Sequence, residues 1–187
     1  MIEAIGMIGL DSPCQYCHFA AQDNSYLCPT CLYEHVIRKI LAIKPSTAEN
    51  MQCADLFPDF LLADMDDFLI KDIEELLGCI YAELWTAIAL MSSRIFEQVL
   101  KNHMKLNMNI NVDEEVLGGC IKRLEKQGAP ANLIAALTEL RDTRNDAMHA
   151  NKRFSPADSL ELSRKVLSLV ASVYNYRPKP NTMITFA

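Results

Sequence analysis

Apolar positions along this chain recur at helical spacing, and few stretches alternate as strands do. Leu32, Val36, Ile37, Ile40 and Leu41 share one face of a predicted helix. Phe68, Ile70, Ile73, Leu76 and Leu77 predict a second helix, which Asp64, Asp66 or Asp67 can cap at its start and Gly78 can bend or break. The longest pattern runs from Cys79 to about Leu106 and carries Ile80, Leu84, Ile88, Ile95 and Val99. This helix is expected at the centre of a bundle, with Trp85, Met91 and Phe96 as core residues. Arg94 and Glu97, three positions apart on it, predict an intrahelical ion pair. Val116, Leu117, Cys120, Ile121 and Leu124 form the apolar side of a shorter helix closed by Gly128. Ser155, Pro156 and Asp158 then combine an N-cap, a first-position proline and a first-turn acid, starting a last helix through Leu162, Val166, Leu169 and Val173.

Punctuation between these patterns divides the chain. Pro45 and the polar residues after it read as the end of a helix and a linker, and Pro58 makes residues 53–63 an irregular apolar connection expected to pack against the next domain. The expected organisation is a small module over residues 1–45, a linker over 46–63, a helical bundle over 64–176 and a tail over 177–187.

The chain has 187 residues, half of them hydrophobic, enough for one ordinary core and a small accessory module. No apolar run reaches the length of a bilayer span, and the apolar N-terminus carries Glu3 without a basic region before it. These features predict a cytoplasmic protein without membrane association.

Four of the seven cysteines stand in two pairs, Cys14-x2-Cys17 and Cys28-x2-Cys31, ten residues apart. Each pair lets two thiolates converge on one ion, and two pairs complete a closed tetrahedral site. The spacing predicts a structural Zn2+ held in a zinc-ribbon or treble-clef module, whose folding the metal would largely drive. His18 and His35 lie beside the knuckles and could replace a thiolate ligand, but with four cysteines available they read as spectators. Cys53, Cys79 and Cys120, scattered among apolar residues, read as small buried hydrophobes.

Net charge is −6, which argues against general coating of nucleic acid. The balance is uneven, however: residues 1–119 hold 7 basic and 18 acidic residues, while residues 120–187 hold 11 and 6. In that basic part, the stretch from Asn132 to Ala150 predicts a two-sided helix. Leu133, Ala136, Leu137, Leu140 and Ala147 fall on one side; Thr138, Arg141, Asp142, Asn145 and His149 fall on the other. Arg141, Asn145 and His149 repeat at i, i+4 and i+8, with Arg144 at the border. Arg141, Lys152 and Arg153 are candidate phosphate-binding cations; solvated surface charges are the plainer reading of the same residues.

The segment Arg144-Asn-Asp-Ala-Met-His149 resembles the Arg-x(4–6)-His motif of the HEPN superfamily. The surrounding LRDTRNDAMHA is similar to the last block of the HEPN branch known as domain of unknown function 4145, and the resemblance covers the helical pattern from about Asp66 to Tyr176. It implies a HEPN-like helical bundle that pairs through the motif helix, and a metal-independent endoribonuclease acting as a toxin or phage-defence effector. The implied catalytic residues are Arg144, His149 and Asn145, gathered from two protomers of a homodimer. An inhibitory protein or antitoxin would be a natural partner. Two other functions remain open on the residues alone: a non-catalytic RNA- or nucleotide-binding module, and a zinc-bearing adaptor for protein contacts.

Overall fold

The computed structural model describes residues 14–18, 25–108, 110–112, 115–126, 128, 131–149 and 153–175. These residues are helical almost throughout. Among them there is no strand, only an isolated bridge at Ser25.

Four long helices make the bundle: α6 (Asp67–Tyr81), α7 (Trp85–Met108), α9 (Ala131–Met148) and α10 (Pro156–Asn175), with the shorter α8 (Leu117–Lys126) beside α9. Helix α7 lies at the centre and packs against α6, α9 and α10. Its buried Ile88, Ile95, Phe96, Val99 and Met104 supply the middle of the core. Each such side chain contributes about 1.5–3 kcal/mol on burial, so tertiary packing rather than helix propensity holds the assembly together.

The helix starts follow from local chemistry. Asp66 caps α6 by accepting the Leu69 N–H at 2.8 Å, and Ser155 caps α10 by accepting the Asp158 N–H at 3.1 Å, each such cap stabilising by about 1 kcal/mol. Along α6, Leu69, Ile73, Leu76, Leu77 and Ile80 form the buried stripe.

Several sequence expectations are corrected. Helix α6 runs through Gly78, and the break falls at residues 82–84, where Glu83 takes a left-handed φ of 56°. A glycine costs about 1 kcal/mol inside a helix, and burial of the neighbouring Leu77 and Ile80 outweighs it. Phe68 and Val116 are each 72% exposed rather than inward-facing, because each stands at the first turn of its helix or before it.

Residues 46–63, expected to form a linker, contain turns of helix instead: α3 (Pro45–Ala48), α4 (Cys53–Leu56) and α5 (Asp59–Leu62). The prolines start these turns. Pro45 opens α3, where the Thr47 hydroxyl accepts the Lys44 N–H, and Pro58 precedes α5. Ala48, Cys53, Leu56, Phe57 and Leu61 are buried, so the segment is part of the core.

The N-terminal segment is fastened to the end of the bundle. Helix α1 (Pro29–Leu32) continues through a π-helical stretch, Tyr33–Ile37, into α2 (Arg38–Leu41). The side chain of Asn175, at the end of α10, accepts the Leu27 N–H at 2.7 Å and donates to the Leu27 carbonyl at 3.0 Å. The Asn175 carbonyl also accepts the Tyr26 N–H at 2.9 Å. Three hydrogen bonds from one residue thus fix the approach to the second cysteine pair.

Candidate functional site

Cys14 and Cys17 occupy a turn in which the His18 N–H donates to the Cys14 carbonyl at 3.0 Å. Cys28 is the N-cap of α1, Pro29 its first residue, and Cys31 lies within its single turn. The second knuckle therefore opens a helix, and a ribbon of two hairpins is not what these residues adopt. The Gln15 N–H donates to the Tyr26 carbonyl at 2.9 Å and joins the two knuckles.

This backbone brings the four sulfurs within 4.8 Å of one another, with Cys17 Sγ and Cys28 Sγ 3.6 Å apart. A tetrahedral ion with bonds of about 2.3 Å separates its sulfurs by about 3.8 Å, so the cluster is compatible with a metal site. Burial would raise the Cys14 thiol, but the backbone N–H groups of Cys17, Cys28 and Tyr16 outweigh it and hold it at about 6. Burial, followed by the neighbouring thiols of Cys28, Cys17 and Cys14, pushes Cys31 up to about 12. A divalent cation is the counter-charge that lets such closely spaced thiols ionise together. His18 and His35 are not in the cluster; the His35 ring stacks on Tyr16 with centroids 4.0 Å apart. Cys53 and Cys120 are buried and Cys79 is half-buried.

The second assembly is a groove of about 640 Å³ between α7 and α9. From α7 it is lined by Leu90, Arg94, Gln98 and Asn102 in one i+4 row, with Glu97 and Lys101 in the next row; from α9 come Arg144, Ala147 and Met148. The pairing expected between Arg94 and Glu97 does not form. Arg94, 63% exposed, places its Nε 2.8 Å from the oxygen of Asp72 on α6, a carboxylate only 4% exposed. Burial pushes Asp72 up and Arg94 opposes that shift; a buried acid needs a cation, and the one on α7 serves it. Glu97 turns instead to Lys101 at 3.0 Å and Arg144 at 3.5 Å.

The motif residues are distributed unevenly about this groove. Arg144 is on its wall. Asn145 and His149 are exposed, and neither lines the groove; the His149 N–H closes the end of α9 on the Asn145 carbonyl at 3.0 Å. Arg144 and His149 are five residues apart, about 140° around the helix axis, so one chain does not bring them together. Arg141 turns aside to Asp142, with Nη2 2.7 Å from Oδ1, and its Cδ lies close to Gly118 of α8. Arg153 is exposed, and Lys152 lies outside the described residues, as do the side chains of Leu133 and Ala136. Leu137 and Ala147 are buried on the packing side of α9.

Sequence reasoning did not single out Gln98, Lys101, Asn102 or Asp72. The available signal was the i+4 row Leu90, Arg94, Gln98 and Asn102, which sets a cation and two amides one above another on a helix otherwise apolar on its inner face. Among the described residues no helix is long and apolar enough to cross a membrane. No family model matches the chain, and no curated protein or solved structure matches it at a significant level.

Proposed function

We propose that this chain is a metal-independent endoribonuclease of HEPN type, acting as a homodimer in the cytoplasm, with a structural zinc in its cysteine cluster. The observation that carries this reading is the arrangement at the end of α9. Arg144 stands on the wall of a cation-bearing groove, and an exposed His149 stands one turn beyond it. A second copy laid against α9 about a two-fold axis would supply the imidazole that the groove of the first copy lacks.

The chemistry follows from those groups. Imidazole exchanges protons near neutral pH, so one His149 takes the proton of a ribose 2′-hydroxyl as its oxygen attacks phosphorus. The P–O5′ bond breaks, and the imidazolium formed in the first step gives its proton to the departing oxygen. The products are a 2′,3′-cyclic phosphate and a free 5′-hydroxyl. Arg144 offers two parallel donors to the phosphoryl oxygens as charge builds on them, while Asn145 orients the phosphate or the ring. Arg141, Lys152 and Arg153 would extend the basic surface along the RNA. DNA has no 2′-hydroxyl and should survive.

The test is incubation of the full zinc-loaded chain with single-stranded RNA in buffer without added divalent ions. Cleavage to cyclic phosphate ends, absent in both His149→Ala and Arg144→Ala, supports the reading; RNA left intact under these conditions refutes it. A second reading, binding without cleavage, is favoured by Glu97, which already engages Arg144 and Lys101. Retention of uncut RNA by the wild type would establish that reading. As a toxin or defence effector, the protein would arrest growth on expression, and its His149→Ala variant would not; an antitoxin would cover α9.

A further inference from the structure

The two amides on the groove wall are oriented by a carboxylate behind them. Gln98 donates through Nε2 to Asp66 Oδ1 at 2.8 Å. Asn102 donates through Nδ2 to Asp66 Oδ2 at 3.0 Å and to the Tyr174 hydroxyl at 3.0 Å. Burial alone would raise the Asp66 carboxyl, but the Leu69 N–H with the Asn102 and Gln98 amides holds it below the usual carboxylate range. An ionised carboxylate only accepts, so both amide nitrogens must point at Asp66. The amide oxygens are then the groups left to accept from a ligand.

Asp72 forms an ion pair with Arg94 further along α6. Its Oδ2 lies 2.8 Å from Nε without hydrogen-bond alignment, and Arg94, 63% exposed, keeps its terminal nitrogens available to another anion. Arg94 and Gln98 are one turn apart, about 6 Å, comparable to the separation of phosphate and base across a ribose. The groove volume lies in the range of small-ligand sites. Glu97, in the neighbouring row with Lys101, repels a phosphate there and leaves the Arg94 end as the anionic seat.

From this arrangement we infer that the groove is a nucleotide subsite, with the phosphate on Arg94 and the base on the amide oxygens of Gln98 and Asn102, selective for bases with an exocyclic amino group. Such an amino group carries two N–H donors on one nitrogen, and two amide oxygens on adjacent turns can receive both. Uracil offers a single N–H flanked by two carbonyls, which oppose the same oxygens. The inference rests on the ribonuclease reading for its biological meaning and on the Asp66 geometry for its selectivity. Asp66 is a positioning residue.

Titration of the full-length protein with CMP and UMP at low salt tests it, since these nucleotides share a shape and differ at the amino position. CMP should bind about tenfold more tightly than UMP, the effect of roughly one additional hydrogen bond. Asp66→Asn keeps the acceptor that caps α6 but turns an N–H toward Asn102, whose amide then reverses; the preference should vanish or invert. Gln98→Met should weaken CMP more than UMP and so reduce the preference, which covers the case in which Asp66→Asn does not fold. Arg94→Ala should weaken both nucleotides alike. Equal affinities in the wild type, no binding of either nucleotide, or a preference unmoved in both Asp66→Asn and Gln98→Met would overturn the inference. The two readings fail separately: CMP preference without RNA cleavage removes the ribonuclease alone, and cleavage with no base preference removes the subsite alone.

Discussion

The cysteine cluster and the α7–α9 groove use side chains in opposite ways. The cluster gathers four donors of one kind within 4.8 Å, which can ionise together only with a cation between them. The groove instead distributes charge of both signs, with Arg94 against Asp72 and Glu97 against Lys101 and Arg144. The first is complete within one chain, as a closed structural site should be. The second holds Arg144 without His149; on the proposed reading it would bind on its own and become reactive only when a second copy brings an imidazole.

Mutations should separate the two regions, and the largest effect belongs to chemistry. His149→Ala should reduce RNA cleavage by about 10²- to 10⁴-fold, the usual scale for a lost acid or base, and Arg144→Ala by about 10²- to 10³-fold. Neither should lower the melting temperature much, since His149 is exposed and Arg144 loses a single partly exposed ion pair with Glu97; a matching loss of stability would assign these residues to the fold.

The next effect is on folding. Cys28→Ser should release zinc, read by atomic absorption, and cost on the order of 3 kcal/mol in a denaturant titration, because metal binding in such modules is folding free energy. Nucleotide binding in the groove should persist. Its loss would show that the regions are coupled through Asn175, which joins Leu27 to α10.

A smaller change should follow Glu97→Gln. Removing the acid that engages Arg144 and Lys101 should strengthen RNA binding severalfold at low salt and progressively less as salt rises. Filter binding across a salt series measures this, and weakened binding would mean that Glu97 orients the cations rather than competing with the phosphate.

The smallest effect is on pH dependence. Burial holds His103 below its ordinary 6.5, so the unfolded chain takes up that proton more readily than the folded one. Stability from this residue is fully present above 6.5 and declines as pH falls through the lower folded value. Thermal melts between pH 7.5 and 5 should show the decline, and His103→Gln should flatten it.

What the sequence disclosed was set by the range of the interactions. The cysteine pairs and the cap at Ser155 are local, each decided within a few residues, and spacing alone locates them; the α6 cap is narrowed by sequence only to Asp64, Asp66 or Asp67, and the structure selects Asp66. The groove depends on contacts between helices. Arg94 is claimed by an acid 22 positions earlier, and Glu97 by an arginine 47 positions later; no local rule ranks those partners above the i+3 pair. Prolines 45 and 58 were legible as breaks but not as helix starts, because the same fixed φ serves both. The exposed Phe68 shows the complementary error, an apolar residue that continues a pattern past the limit of the packed face.

The most direct test of the account mixes two inactive proteins. Arg144→Ala and His149→Ala protomers, unfolded together and refolded as a mixture, should regain part of the metal-independent RNA cleavage that each lacks, because the mixed dimer has one site with an intact guanidinium and an intact imidazole from different chains. A mixture as inactive as its components, with mixed dimers demonstrated by mass spectrometry, would contradict a site shared between two copies.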